Sequence, residues 1–108
     1  MSATLLKSNS VTVAAQNDAA SVSGLPSPGH VAVQVTGTFS ATITFEATVD
    51  GTNYVAFNMT PSNSGTDAST ATAAGAFSKP AGGYSAFRAR CSTYSSGSPV
   101  VTIRYTAE

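Results

Sequence analysis

Apolar residues recur at every second position through most of this chain, and every such stripe falls on odd numbers. Val31, Val33 and Val35 alternate with Ala32 and Gln34, and Ile43, Phe45, Ala47 and Val49 alternate with Thr44, Glu46 and Thr48. The same phase holds at Val55, Phe57 and Met59, at Phe87, Ala89 and Cys91, at Val101, Ile103 and Tyr105, and more weakly at Val11 and Val13. A period of two sends successive side chains to opposite faces, so these segments read as half-buried strands. Strands are expected near 10–14, 19–23, 31–37, 42–49, 54–60, 69–78, 84–94 and 99–106. That pattern predicts an all-β chain: an antiparallel β-sandwich or jelly roll of about eight strands.

The shared parity also constrains the turns. Opposed residues in an antiparallel hairpin lie on one face, so their numbers sum to an even value and two-residue loops are excluded. Two bulged hairpins and a third hairpin with an odd-length loop are therefore expected. Gly51-Thr52-Asn53 would pair Val49 with Val55 and put Asn53 in the left-handed region, which Asn tolerates. Ser95-Ser96-Gly97 would align Cys91 with Val101 and Ala89 with Ile103, and a loop around Thr38-Phe39-Ser40 would align Val35 with Ile43 and Val33 with Phe45. The second of these sets Arg88 opposite Arg104 on the outward face with Arg90 nearby, placing three of the five bases in one patch. Like charges in that position repel unless a carboxylate joins them. It would be either Glu46 of the same face or an acidic patch on another subunit.

Composition excludes several classes of function. There are 16 Ser, 15 Thr and 18 Ala against 3 Leu and 2 Ile, a poor supply for amphipathic helices. Five bases against five acids leave no electrostatic footprint for nucleic acid. No 18-residue apolar run is present, so no membrane partner is expected. The start, Met1-Ser2-Ala3-Thr4-Leu5-Leu6-Lys7, lacks the basic and apolar regions of a secretory signal, which predicts synthesis in a cytoplasm. With 108 residues the chain holds one domain, read as an N-terminal arm at 1–9 and a single β-sandwich at 10–108. Leu5 and Leu6 on the arm need a surface to cover them, and residues 61 to 82 read as a long exposed excursion. A modest core without an internal disulfide points to a homo-oligomer, with a trimer as the favoured order.

Reactive side chains are few. One His (His30), one Cys (Cys91) and five carboxylates (Asp18, Glu46, Asp50, Asp67, Glu108) offer little for acid–base or nucleophilic work, so no enzymatic activity is expected. Cys91 sits on an apolar stripe and reads as a small buried hydrophobe. No metal-ligand spacing occurs, and Asp50-Gly51-Thr52-Asn53 lacks the further carboxylates of a calcium loop. No cofactor is implied. Tyr54, Tyr84 and Tyr94 lie near hairpin ends; they could stack on sugar rings, although edge packing is the simpler reading.

Three stretches carry a family resemblance. They are Val33-Gln34-Val35-Thr36-Gly37-Thr38-Phe39, the Phe45-Glu46 hairpin with Asp50-Gly51-Thr52-Asn53-Tyr54, and Gly83-Tyr84-Ser85-Ala86-Phe87-Arg88-Ala89-Arg90 followed by Tyr94-Ser95-Ser96-Gly97-Ser98. Over residues 30 to 106 the chain resembles a β-sandwich module of tailed-bacteriophage structural proteins, most like a capsid decoration (cement) protein. In that module the aromatic after Asp-Gly is often Trp, where this chain has Tyr54. The resemblance implies a non-enzymatic virion component, made in the bacterial host cytoplasm, that binds the major capsid protein or other virion proteins. Leu5, Leu6, Arg88, Arg90 and Arg104 would supply the protein interface. A tail, neck or baseplate subunit is the nearest alternative. A carbohydrate-binding module for host attachment, using Tyr54, Tyr84 and Tyr94, is another.

Overall fold

The computed structural model describes residues 5–25, 29–63 and 65–107. It contains ten strands in chain order: β1 (Leu5–Thr12), β2 (Ala19–Ser23), β3 (Gly29–Thr36), β4 (Phe39–Thr48), β5 (Val55–Ala56), β6 (Thr60–Pro61), β7 (Thr70–Ala71), β8 (Gly75–Ala81), β9 (Ala86–Gly97) and β10 (Val100–Ala107). Sheet A runs β1-β10-β3-β8-β6. Sheet B runs β2-β9-β4-β5, with β7 also on β4, and all pairings are antiparallel. The two sheets pack as a β-sandwich in which β1, β10, β3 and β8 face β2, β9, β4 and the β5/β7 pieces. The strand order is that of a jelly roll, but with ten strands rather than about eight, because the expected 54–60 and 69–78 strands are each broken into two pieces that lie in different sheets.

The odd-numbered stripes form the core. Val31, Val33 and Val35 face Ile43, Phe45 and Ala47, with Phe87, Ala89, Cys91, Val101, Ile103 and Tyr105 among them, all buried. Strand β2 departs from the parity, since Ala20 and Val22 turn inward. Phe45 and Phe77 approach to 4.8 Å between ring centroids, and Phe57 touches both Tyr84 and Phe87 at 5.3 and 5.2 Å.

Two of the three expected hairpins are instead crossings between sheets. β3 and β4 lie in different sheets, as do β9 and β10, so Val33 pairs with Ile103 and Phe77 rather than Phe45, and Cys91 pairs with Ile43 rather than Val101. The even-sum rule could not separate the two cases. A strand that turns a corner into the facing sheet also keeps its apolar stripe pointing at the shared core.

Both crossings occur side by side. Val35 pairs with Val101 and, four residues further along each strand, Phe39 pairs with Gly97, so one register continues around the corner. Gly97 has φ +93°, and a Cβ there would come within 2.6 Å of the Phe39 Cα and 2.7 Å of the Thr38 carbonyl oxygen. Only Gly meets both demands. Beyond the corner β9 carries one extra residue between Ser96 and Tyr94 and another between Thr93 and Cys91. Two single insertions restore the parity, so Cys91 and Ile43 both face inward.

Three further expectations are revised. Residues 5–9 do not form the expected arm but belong to β1, paired with β10 from Leu5↔Ala107 onward. The polar run Lys7-Ser8-Asn9-Ser10 hides an edge strand from a hydrophobicity reading, and residues 1–4 lie outside the described part. The loop after β4 is longer than three residues. Ala47 pairs with Val55, while Val49 and Val55 are 69% and 61% exposed. Gly51 rather than Asn53 takes positive φ there, and the Asp50 carboxylate accepts hydrogen bonds from the backbone N–H groups of Thr52 and Asn53. The excursion is only partly extended: Met59 and Ala71 are buried, the Met59↔Ala68 bridge closes it, and β7 and β8 divide the expected 69–78 strand between the two sheets.

Candidate interaction surfaces

The outer face of sheet B is built from the alternate residues left by the core stripes. Cross-strand register sets Glu46 opposite Arg88 and Thr44 opposite Arg90. Glu46 Oε1 accepts hydrogen bonds from Arg88 Nε at 2.6 Å and Arg90 Nε at 3.1 Å, and Oε2 accepts from Arg90 Nη2 at 3.2 Å. Arg90 Nη1 donates to Asn17 Oδ1 at 2.9 Å, and the Arg88 guanidinium lies 3.9 Å from the Tyr54 ring centroid. The Glu46 side chain is only 10% exposed. Burial pushes its pKa up, but the hydrogen bonds and charges of Arg90 and Arg88 outweigh this and hold it below the ordinary carboxylate value. Glu46 is thus the internal partner for Arg88 and Arg90.

Arg104 does not join that cluster. It lies on sheet A, with Ser8 and Ala32 as its cross-strand neighbours, so the expected Arg88–Arg104 juxtaposition is replaced by placement on opposite faces of the sandwich. Sheet A presents Leu6, Ser8 and Ser10 from β1, Thr102 and Arg104 from β10, Ala32 and Gln34 from β3, and Ala76 and Ser78 from β8. Arg104 is exposed and has no carboxylate partner among the described residues. A shallow depression of about 320 Å³ lies on this face, lined by Ala32, Gln34, Ala76, Phe77, Thr102 and Arg104 among others. A second, of about 390 Å³, opens between Pro61-Ser62-Asn63 and the 72–76 segment of the excursion. Leu6 is 48% exposed at the edge of the same sheet.

The remaining described carboxylates are occupied locally. Asp18 Oδ2 accepts from the backbone N–H groups of Ala14 and Ala15 at 2.9 and 3.1 Å. Asp50 accepts from the backbone N–H of Asn53 and Thr52, the Asn53 side chain and the Thr48 hydroxyl, which hold its pKa far below the usual carboxylate range. Asp67 accepts from Lys79 Nζ at 2.7 Å and Thr60 Oγ1 at 2.8 Å, and its pKa is lowered too.

Tyr54, Tyr84 and Tyr94 are each committed to a different contact. Tyr54 lies beneath Arg88, Tyr84 packs on Phe57 and Phe87, and the Tyr94 hydroxyl donates to the Gly97 carbonyl at 2.6 Å beside the corner. They form no shared platform of the kind that sugar stacking calls for. His30 is exposed on β3, and Cys91 is buried with its thiol raised in pKa, chiefly by burial. No group of three or more His, Cys, Asp or Glu gathers among the described residues. The contacts of Tyr54 and Asn17 with the arginines had no signal in the sequence, because they join loops distant along the chain.

The fold and these faces define a small jelly-roll β-sandwich that offers surfaces rather than a cleft. No protein-family model matches the sequence, and no curated protein matches it either. Among solved structures the chain is similar to the SPBc2 prophage-derived protein YomS, with a TM-score of 0.73 over 99% of both chains and 15% identity. At that identity the likeness establishes a common fold.

Proposed function

We propose that this protein is a non-enzymatic structural component of a bacteriophage particle, acting as a capsid decoration protein that binds the outer capsid surface and stabilises the assembled shell. The observation that carries the reading is the contrast between consumed and available groups. Every described carboxylate is held by an internal partner, while the outer face of sheet A is left with hydroxyls, small side chains, Arg104 and one shallow depression. Such a face can be covered closely, because few charges must leave water. The fold shared with a prophage-derived protein supports the phage context. The mechanism is mass action: binding the assembled shell and not its dissociated subunits stabilises it by about 2.7 kcal/mol per site at a hundredfold excess over Kd.

Sedimentation with particles assembled without this chain tests the proposal. Co-sedimentation with heads is expected. Movement with isolated tails would transfer the role to a tail, neck or baseplate subunit, and movement with neither would end the virion reading.

A further inference from the structure

The strand edges of this sandwich are unequal. β5, β6 and β7 are two residues each and β6 contains Pro61, the kind of short or proline-bearing edge that discourages pairing. β2 has five residues, and its Ser21 carbonyl accepts a hydrogen bond from the Asn9 side chain at 3.2 Å. β1 is longer than all of these, and the only such device it carries is an inward-pointing lysine, Lys7. It runs for eight residues, contains no proline, and follows β10 in one unbroken register. Leu6, Ser8, Ser10 and Thr12 are exposed along it. Its one charge, Lys7, is half-buried and projects to the opposite face. Alternate backbone N–H and C=O groups on such an edge point away from β10 and are strong, obligatory hydrogen-bonding groups.

We infer that this edge is an interface between two copies of the chain, β1 pairing antiparallel with β1 about a two-fold axis so that the two five-stranded sheets join into one of ten strands. The strand is suited to meeting itself. The outer faces of both copies stay on one side only if partner numbers sum to an even value. A register centred on Lys7 would oppose like charges. Centring on Ser8 sets Lys7 against Asn9 and Leu6 against Ser10, while centring on Asn9 sets Lys7 against Val11 and Leu6 against Thr12. In both, the cation meets a neutral side chain and Leu6 gains cover. The interface is isologous, so it closes at two copies.

Sedimentation equilibrium of the full chain over a wide concentration range tests this. The expected mass is twice the 10.8 kDa of one chain. The double variant Leu6→Glu with Ser8→Glu places four carboxylates along the seam. Inside one molecule residue 8 faces Arg104, an attractive partner, so the fold is expected to persist by circular dichroism. Dimerisation should weaken at least tenfold, with faster hydrogen exchange confined to β1. Should that variant fail to fold, the single variants Ser8→Cys and Asn9→Cys under mild oxidation replace it. At least one should form a covalent dimer, and Ser21→Cys on the β2 edge should not. A wild-type monomer at every concentration overturns the inference. So does a trimer, a dimer untouched by the carboxylates, or the absence of cross-linking at both positions. None of these outcomes depends on whether the protein binds heads or tails.

Discussion

The two outer faces of this sandwich solve the problem of exposed polar side chains in opposite ways. On sheet B, one carboxylate holds two guanidiniums, a tyrosine ring supports one of them and an asparagine the other. On sheet A, hydroxyls and small side chains spread across strands of similar length, and the single arginine has only neutral cross-strand neighbours. Charge on the first face fixes the pairing of β4 with β9, because slipping by one residue would carry Glu46 to the core side. Charge on the second face fixes nothing inside the molecule. The lesson is that two arginines close in sequence and a third that looks equivalent by pattern can serve different ends once a corner separates them.

That separation is made where Gly97 faces Phe39, so the sharpest way to break the contrast is Gly97→Val. A side chain there meets backbone on both sides and must also adopt positive φ. A loss of about 3 kcal/mol or more is expected by urea unfolding, and a change under about 1 kcal/mol would show that the corner does not depend on glycine. Glu46→Ala comes next. It leaves Arg88 and Arg90 without their shared counter-charge, for a loss of about 2 kcal/mol after allowing for their partial exposure. Thermal melts of Glu46→Ala beside Arg88→Ala and the double variant would isolate the coupling.

Acid should reveal the same asymmetry on a smaller scale. Glu46, Asp50 and Asp67 all have folded pKa values below their ordinary ones. The stability they contribute is present above their unfolded pKa values, near 4, and is lost as pH falls from there toward the folded values. Tm is expected to hold steady between neutral pH and about pH 5 and to decline below about pH 4. Glu46→Gln and Asp50→Asn should each flatten that decline, and an unchanged acid limb in both would remove the assignment. Arg104→Ala should have the smallest effect on folding, within about 0.5 kcal/mol. Arg104→Glu should nevertheless lower affinity for undecorated heads several-fold in the co-sedimentation assay. Equal binding by that variant would move the docking face away from the centre of sheet A.

Much of the architecture was readable before any coordinates. The odd-numbered stripes at Val31 to Val35, Ile43 to Ala47, Phe87 to Cys91 and Val101 to Tyr105 form the core, and an antiparallel β-sandwich follows from them, although with ten strands rather than about eight. The association of Glu46 with Arg88 and Arg90 was also available as one of two readings. β1 escaped detection because an edge strand with a polar sequence shows little alternation. The docking of Tyr54 under Arg88 and of Asn17 on Arg90 escaped because loops carry no period that would align them.

What the linear chain settles here is which side of each strand is wet and which is dry, because alternation is a local property of the polypeptide and hydrophobic burial acts on it directly. Which strands are neighbours is a different matter. Val35 and Ile43 could have lain side by side in one sheet or face to face across two, with the same residues buried. The choice was made by the corner, where Gly37 and Gly97 allow conformations other residues resist and where β9 and β10 must turn together with β3 and β4. It follows from closing a whole core rather than from any one segment, and it alone places Arg88 and Arg104 on opposite faces.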